Sequence, residues 1–351
     1  MRIDLFCQVV DNFGDIGVSW RLARQLVVEH DCEVRLIVDD LGAFRSIAPE
    51  IDPGLARQSL LGVEVVSWSA ADTLVPSDVV IEAFACNPPA SYVEAMALSL
   101  PKPVWINLEY LSAEAWVDEI HGMPSQHQRL PLTKYFFCPG FTEASGGLVR
   151  EWNLVRPSSG ANPRQGANRR PLQLFAFTYP QAPVQALTLA FATAGASTAV
   201  TQAAPLSQSS PHWQIADPVP QTEFDALLGK FDFLIVRGED SFLRAQWAAK
   251  PFLWHIYPTD DRAHVIKLDA WLDRYCVGLD ANASAAYRTA SHAFNAAKSD
   301  GARSTPYELL ARNISALTAH AEHWRDMLLR QTDLATRLLE FVRKHKANNL
   351  G

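Results

Sequence analysis

The stretch Ile3–Trp20, "IDLFCQVVDNFGDIGVSW", decides the fold. An apolar run rich in strand-forming residues ends in a turn that holds Asp11, Gly14, Asp15 and Gly17, and a helix-period pattern follows from about Val18 to His30. A buried strand handing over to a helix within a few residues is the opening unit of a parallel sheet covered on both faces. The same alternation continues through "EVRLIV", "VEVVSW", "DVVIEAFA" and "KPVWINLEY", so a Rossmann-like domain is predicted over residues 1–155.

Residues 156–171, "RPSSGANPRQGANRRP", have no periodicity and concentrate Pro, Gly, Ser, Asn and Arg, which reads as a linker or mobile loop. A second alternating series follows: "LQLFAF", a helix through "APVQALTLAFATA", "STAV", "FDFLIV", a helix from about Ser241, "KPFLWHI" and a helix from about His264. It predicts a second Rossmann-like domain over 172–325. The segment 326–351 carries apolar residues at helical spacing with basic residues in its last turn, and is expected to be a C-terminal helix packing across both domains.

The 351 residues suffice for two ordinary domains, and 48% hydrophobic with 20% charged residues is the balance of a folded soluble chain. The net charge of -7 and the lack of a Lys/Arg run argue against direct nucleic-acid binding. Five cysteines without close pairs or zinc spacing read as buried thiols in a reducing compartment. Asp4 and Gln8 interrupt any signal-peptide core, and no stretch of about 20 uninterrupted apolar residues exists, so a cytoplasmic protein without a membrane span is expected.

Ligands of open α/β sheets bind beyond the carboxyl ends of the strands, which places the turn Asp11-Asn12-Phe13-Gly14-Asp15 at an expected site. Two carboxylates there would repel a pyrophosphate, so a dinucleotide is disfavoured at this turn. The bland alternative is that Asp15 caps the following helix and Asp11 opens an Asx turn. The matching turn of the second domain, Arg237-Gly238-Glu239-Asp240-Ser241, opens a helix whose free N–H groups suit a diphosphate. There Arg237 offers a charge-assisted bond, Ser241 a hydroxyl donor and Gly238 room for close approach, although Asp240 or Ser241 equally serve as an N-cap and Glu239 as a first-turn acid. Upstream, Gln221 and Phe224 can bond the edge and stack on the face of a pyrimidine, but a Phe at this spacing is more often core. The aromatic runs Trp105–Trp116 and Pro251–Asp261 read as core or rim packing; His121, His255 and His264 lack a metal-binding partner, and no catalytic metal is expected.

The stretches "DNFGDIGVSWRLARQL", "VVIEAFAC", "INLEYLSAE", "SGGLVRE", "VRGEDSFLRAQWAAKPFLWHIYPTDD" and "AHVIKLDAWL" together resemble the EarP family, the protein-arginine rhamnosyltransferases of bacterial elongation factor P. The resemblance implies a GT-B fold with the active site between the domains and an inverting, metal-independent mechanism. It implies dTDP-β-L-rhamnose as donor with no cofactor, and one arginine of elongation factor P as acceptor. The modified factor helps ribosomes stalled on proline runs. Carried over to this sequence, the two motif aspartates are Asp11 and Asp15, with Asp15 the general base, and the required glutamate is Glu239. Donor contacts fall on Gln221, Phe224, Arg237, Gly238, Asp240, Ser241 and, through "FTYP", Tyr179, with Asn12, Phe13 and Gly14 on the acceptor side. Pro218 stands where the family often has an aromatic three residues before the glutamine. Two other readings share these residues: a GT-B enzyme acting on a small molecule or glycan, and a non-catalytic nucleotide-sugar-binding partner of the translation machinery.

Overall fold

The computed structural model describes residues 1–10, 13–155, 170–204, 206–207, 209–296 and 303–348. It divides into two compact units, the first formed by Met1–Asn153 together with Gln331–Gly351, the second by Leu154–Arg330.

The first unit is built on β1 (Arg2–Cys7), β2 (Glu33–Val38), β3 (Arg57–Leu60), β4 (Val63–Ser67), β5 (Val79–Ala83), β6 (Val104–Leu108), β7 (Pro124–Gln126) and β8 (Thr133–Phe137), in the order β3-β4-β2-β1-β5-β6-β8-β7. The six inner strands are parallel, and β3 and β7 pair antiparallel at the edges. Strands β5 and β6 are buried along their whole length, as a sheet covered on both faces requires. The edge strands β3 and β7 and the strand "TKYFF" escape a reading based on apolar runs, because their residues are only partly buried. The chain order reverses between β1 and β5, so the switch point lies at the turn that follows β1.

The Gly14–His30 helix starts four residues earlier than its periodicity suggests and buries Ile16, Trp20, Leu22, Ala23 and Leu26 against this sheet. Fully buried Arg21 also lies on it, forming a two-pronged ion pair with Glu151: Nε to Oε1 at 2.9 Å and Nη2 to Oε2 at 2.6 Å. Gln25, one turn further, donates to the Arg150 carbonyl (2.7 Å) and to Asp333 (3.1 Å). Residues from Gln331 onward therefore belong with the first unit. The Leu334–Asn348 helix is tied there by Leu334 N–H to the Leu148 carbonyl (2.9 Å) and by Arg337, whose Nη1 donates to the carbonyls of Glu143 (2.9 Å) and Ser145 (2.7 Å). Guanidinium donors satisfying loop carbonyls in this way fix a tail more firmly than apolar contact alone.

The second unit carries β9 (Leu172–Ala176), β10 (Thr198–Gln202), β11 (Gln214–Ile215), β12 (Phe233–Arg237) and β13 (Phe252–His255), all parallel in the order β11-β10-β9-β12-β13. Its switch point lies between β9 and β12. The short exposed β11 lies outside any apolar run. The Asp240–Trp247 helix after β12 is buried throughout, with Phe242 stacked on Trp254 at 3.9 Å and edge-on to Trp271 at 4.8 Å. Gln246 accepts from the Trp324 indole at 2.9 Å. Such packing holds the helix start, and therefore the preceding turn, in one position.

Candidate active site

Two groups of side chains sit beyond the carboxyl ends of the parallel strands, one in each unit. In the first unit, Asp15 is 1% exposed in the first turn of its helix. Its Oδ2 accepts the Val10 N–H at 2.8 Å, folding the end of the β1 turn back onto the helix start. The helix's N-cap position is Phe13, which makes no side-chain cap bond. Asp15 thus braces the turn from inside the helix and does not fill the N-cap position; the helix dipole favours its negative charge there. At the end of β1 the Cys7 thiol is pushed well up by burial, with Asp15 adding repulsion. Gly14 begins the helix and is buried, and Phe13 is partly exposed beside it. Asp11 and Asn12, the other members predicted on this turn, lie outside the described residues, as do 156–169 of the expected linker.

In the second unit, the turn from β12 into its helix has Gly238 in the left-handed region (φ 61°), with its carbonyl accepting from the Trp254 indole at 2.8 Å. A side chain would be strained there, which favours glycine at this position. Glu239 occupies the N-cap position with helical dihedrals and makes no side-chain cap bond. Asp240 is nearly buried, accepting from Gln221 Nε2 at 2.9 Å and from Arg244 Nε at 3.0 Å. The Ser241 hydroxyl donates to the Arg237 carbonyl, and the Arg237 N–H donates to Ser241 Oγ at 3.2 Å. In this structure Gln221, Asp240 and Ser241 therefore bond one another's surroundings as well as lining the turn. For Ser241 to offer its proton to a ligand, it must exchange the bond to Arg237.

The Arg237 guanidinium lies 4.8 Å from the Phe177 ring centroid and 4.9 Å from that of Tyr179. Phe224 meets Phe177 edge-on at 5.7 Å, and Tyr179 meets His255 at 5.1 Å and Tyr257 at 5.6 Å. Predicted residues Tyr179, Phe224 and Arg237 thus come together in one aromatic and cationic cluster. Sequence reasoning missed Phe177 and His255 as members. The alternating "FAFTYP" at the end of β9 carries the signal for Phe177, whereas the sequence presents His255 only as a metal-ligand candidate without a partner. Pro218 is exposed and contributes no ring. Among the described residues, no group of three His, Cys, Asp or Glu side chains could hold a metal ion.

Two parallel doubly wound sheets, one in each unit, give the chain the GT-B fold. A solved spinosyn rhamnosyltransferase, SpnG, shares the fold with a TM-score of 0.53 at 13% identity, covering 97% of this chain and 100% of its own. The family model described as elongation factor P (EF-P) rhamnosyltransferase EarP matches residues 3–343, and the chain belongs to that family. Protein-arginine rhamnosyltransferases of Pseudomonas putida and Pseudomonas aeruginosa are 43% and 39% identical to it, over 97% and 96% of this chain and 98% of each relative. A solved structure concerned with EarP-mediated arginine glycosylation of translation elongation factor EF-P is 29% identical, with a TM-score of 0.59 over 98% of this chain and 99% of the other. The protein is an enzyme of the protein-arginine rhamnosyltransferase class.

Proposed function

We propose that this chain transfers L-rhamnose from dTDP-β-L-rhamnose to one arginine of elongation factor P in the cytoplasm, with inversion at the anomeric carbon and without a metal or cofactor. The modified factor then relieves ribosomes stalled at proline runs. The observation that carries the reading is the family match across residues 3–343, which spans both the Asp15 turn and the Arg237–Ser241 turn. The family description and the related solved structure both name EF-P in their wording.

Guanidinium is a poor nucleophile, since it stays protonated and its lone pairs are delocalised over a planar cation. In this reading Asp11 and Asp15 grip it through paired N–H···O bonds and aim one nitrogen at C1 of the sugar. The C–N bond forms as the C1–O bond breaks, the proton passes to the Asp15 carboxylate, and dTDP leaves carrying the bonding electron pair. The charge gained by the departing oxygen is met by Arg237 and the N-terminus of the Asp240–Trp247 helix; loss of one such preorganised donor typically costs about a hundredfold in rate. Glu239 is assigned to sugar or nucleoside hydroxyls, or to orienting Arg237. Gln221 and Phe224 hold the base, and Asn12, Phe13 and Gly14 shape the acceptor side.

The test is the intact mass of purified elongation factor P after incubation with the enzyme and dTDP-β-L-rhamnose. A gain of one deoxyhexose on an arginine is expected, and an unmodified factor alongside active enzyme on another acceptor refutes the reading. Asp15→Asn should keep donor binding by calorimetry while transfer falls by about 10²–10⁴-fold, the usual worth of a general base. Equal loss of binding and transfer would remove Asp15 from that role.

A further inference from the structure

His255 ends β13 and stands in register with Arg237 at the end of β12. Its Nδ1 accepts the peptide N–H of Tyr179 at 3.4 Å, which places the ring proton on Nε2 in the neutral form. The ring packs edge-on against Tyr179 (5.1 Å) on one side and Phe294 (5.3 Å) on the other. Asn295, beside Phe294, clamps the chain around it by accepting from Ile256 N–H (2.9 Å) and donating to the Trp254 carbonyl (2.8 Å). The imidazole is thus held on three sides. Burial, with the neighbouring Arg237 cation, depresses its pKa to about 4, so at neutral pH it is an uncharged acceptor.

Tyr179 and Phe177 are the two rings against which the Arg237 guanidinium lies. Beyond β9 the Phe177 N–H still bonds the Ile235 carbonyl of β12 at 2.8 Å, whereas the Tyr179 N–H is taken by His255 before the Val184–Thr193 helix begins. We propose that His255 is a positioning residue of the donor site: through Nδ1 it fixes the Tyr179 peptide, and through the Tyr179 ring it fixes one of the two rings against which the guanidinium that receives the diphosphate lies. A second cation at this place would repel Arg237. A neutral ring acceptor holds the loop without that repulsion. The inference rests on the donor-site reading given above and adds to it the part that presents Arg237.

The experiment measures dTDP binding by calorimetry on the full chain. Arg237→Met tests the donor-site reading itself and should weaken binding at least tenfold; unchanged binding overturns that reading and the inference with it. With Arg237 established, His255→Asn and His255→Gln separate the two ring nitrogens, because the Asn oxygen falls near Nδ1 and the Gln side chain reaches towards Nε2. His255→Asn should bind dTDP within about threefold of wild type, while His255→Gln and His255→Ala weaken it about tenfold, the weight of one lost hydrogen bond. The loss should appear in the donor KM with kcat changed less. Equal binding by all three variants, or Asn as weak as Ala, overturns the positioning role. In the unmutated protein, imidazole nitrogen NMR at pH 7 should show the Nε2–H tautomer; the Nδ1–H tautomer overturns it independently of any variant's folding.

Discussion

Removing one partner of the Arg21–Glu151 pair should unfold the first unit at a much lower temperature. Arg21 is fully buried and its two bonds to Glu151 are 2.9 and 2.6 Å long, so Glu151→Ala leaves a guanidinium without its carboxylate in a place water does not reach. Breaking a buried pair in this way costs about 3–5 kcal/mol. For a unit of this size each kcal/mol moves the midpoint by about 2–4 °C, giving an expected fall of roughly 6–20 °C. Thermal unfolding followed by circular dichroism reads it directly. The fall should persist in high salt, since a buried pair is little screened. Replacing both partners, as Arg21→Met with Glu151→Leu, should recover much of the loss, because apolar groups of similar size need no counter-charge. dTDP affinity should be unchanged at temperatures well below the new midpoint, because the residues proposed to hold the donor lie in the other unit. A midpoint shift below about 2 °C for Glu151→Ala would refute the claim that this pair anchors the helix bearing Asp15.

Three further outcomes are expected. Phe224→Ala should raise the dissociation constant for dTDP by about tenfold or more, as loss of a base-stacking ring does, and an unchanged constant would remove Phe224 from the pocket. Gly238→Ala should destabilise the second unit by about 1–2 kcal/mol through the left-handed backbone (φ 61°), and should weaken dTDP binding together with it; a midpoint equal to wild type would contradict the strain. His255 is depressed from an ordinary 6.5 to about 4, so the unfolded chain takes up its proton first as pH falls. The corresponding difference, about 3 kcal/mol, favours the folded state above about pH 6.5 and is lost progressively towards pH 4. Denaturant titrations across that range should show wild type losing stability relative to His255→Asn as pH falls from 6.5 to 4, and parallel curves would show that His255 does not titrate in this way.

Local chain chemistry determined a good deal by itself. The buried apolar runs that became β1, β2, β4, β5, β6, β9, β12 and β13 are legible because a parallel strand covered on both faces is largely apolar along its length, whereas the half-buried β10 shows only the short stretch "STAV". The two candidate turns are legible for a related reason: aspartates and glycines gathered where a strand ends and a helix begins are local in sequence, so Asp15, Arg237, Gly238 and Glu239 are named by the sequence alone. Strands β3, β7 and β11 were not legible, since partly exposed edge strands need no apolar signature.

Only the tertiary structure decided how those residues are held. Arg21 finds Glu151 at a separation of 130 residues, and Gln25 finds Asp333 at 308, because the chain returns after Arg330 to complete its first unit. Asp15's bond to Val10, the rings of Phe177 and Tyr179 against Arg237, and His255 behind Tyr179 depend on which strand ends become neighbours. Strand and helix period are set by covalent geometry within a few residues. Side-chain partnership is set by packing between segments far apart, whose pairing no local pattern encodes.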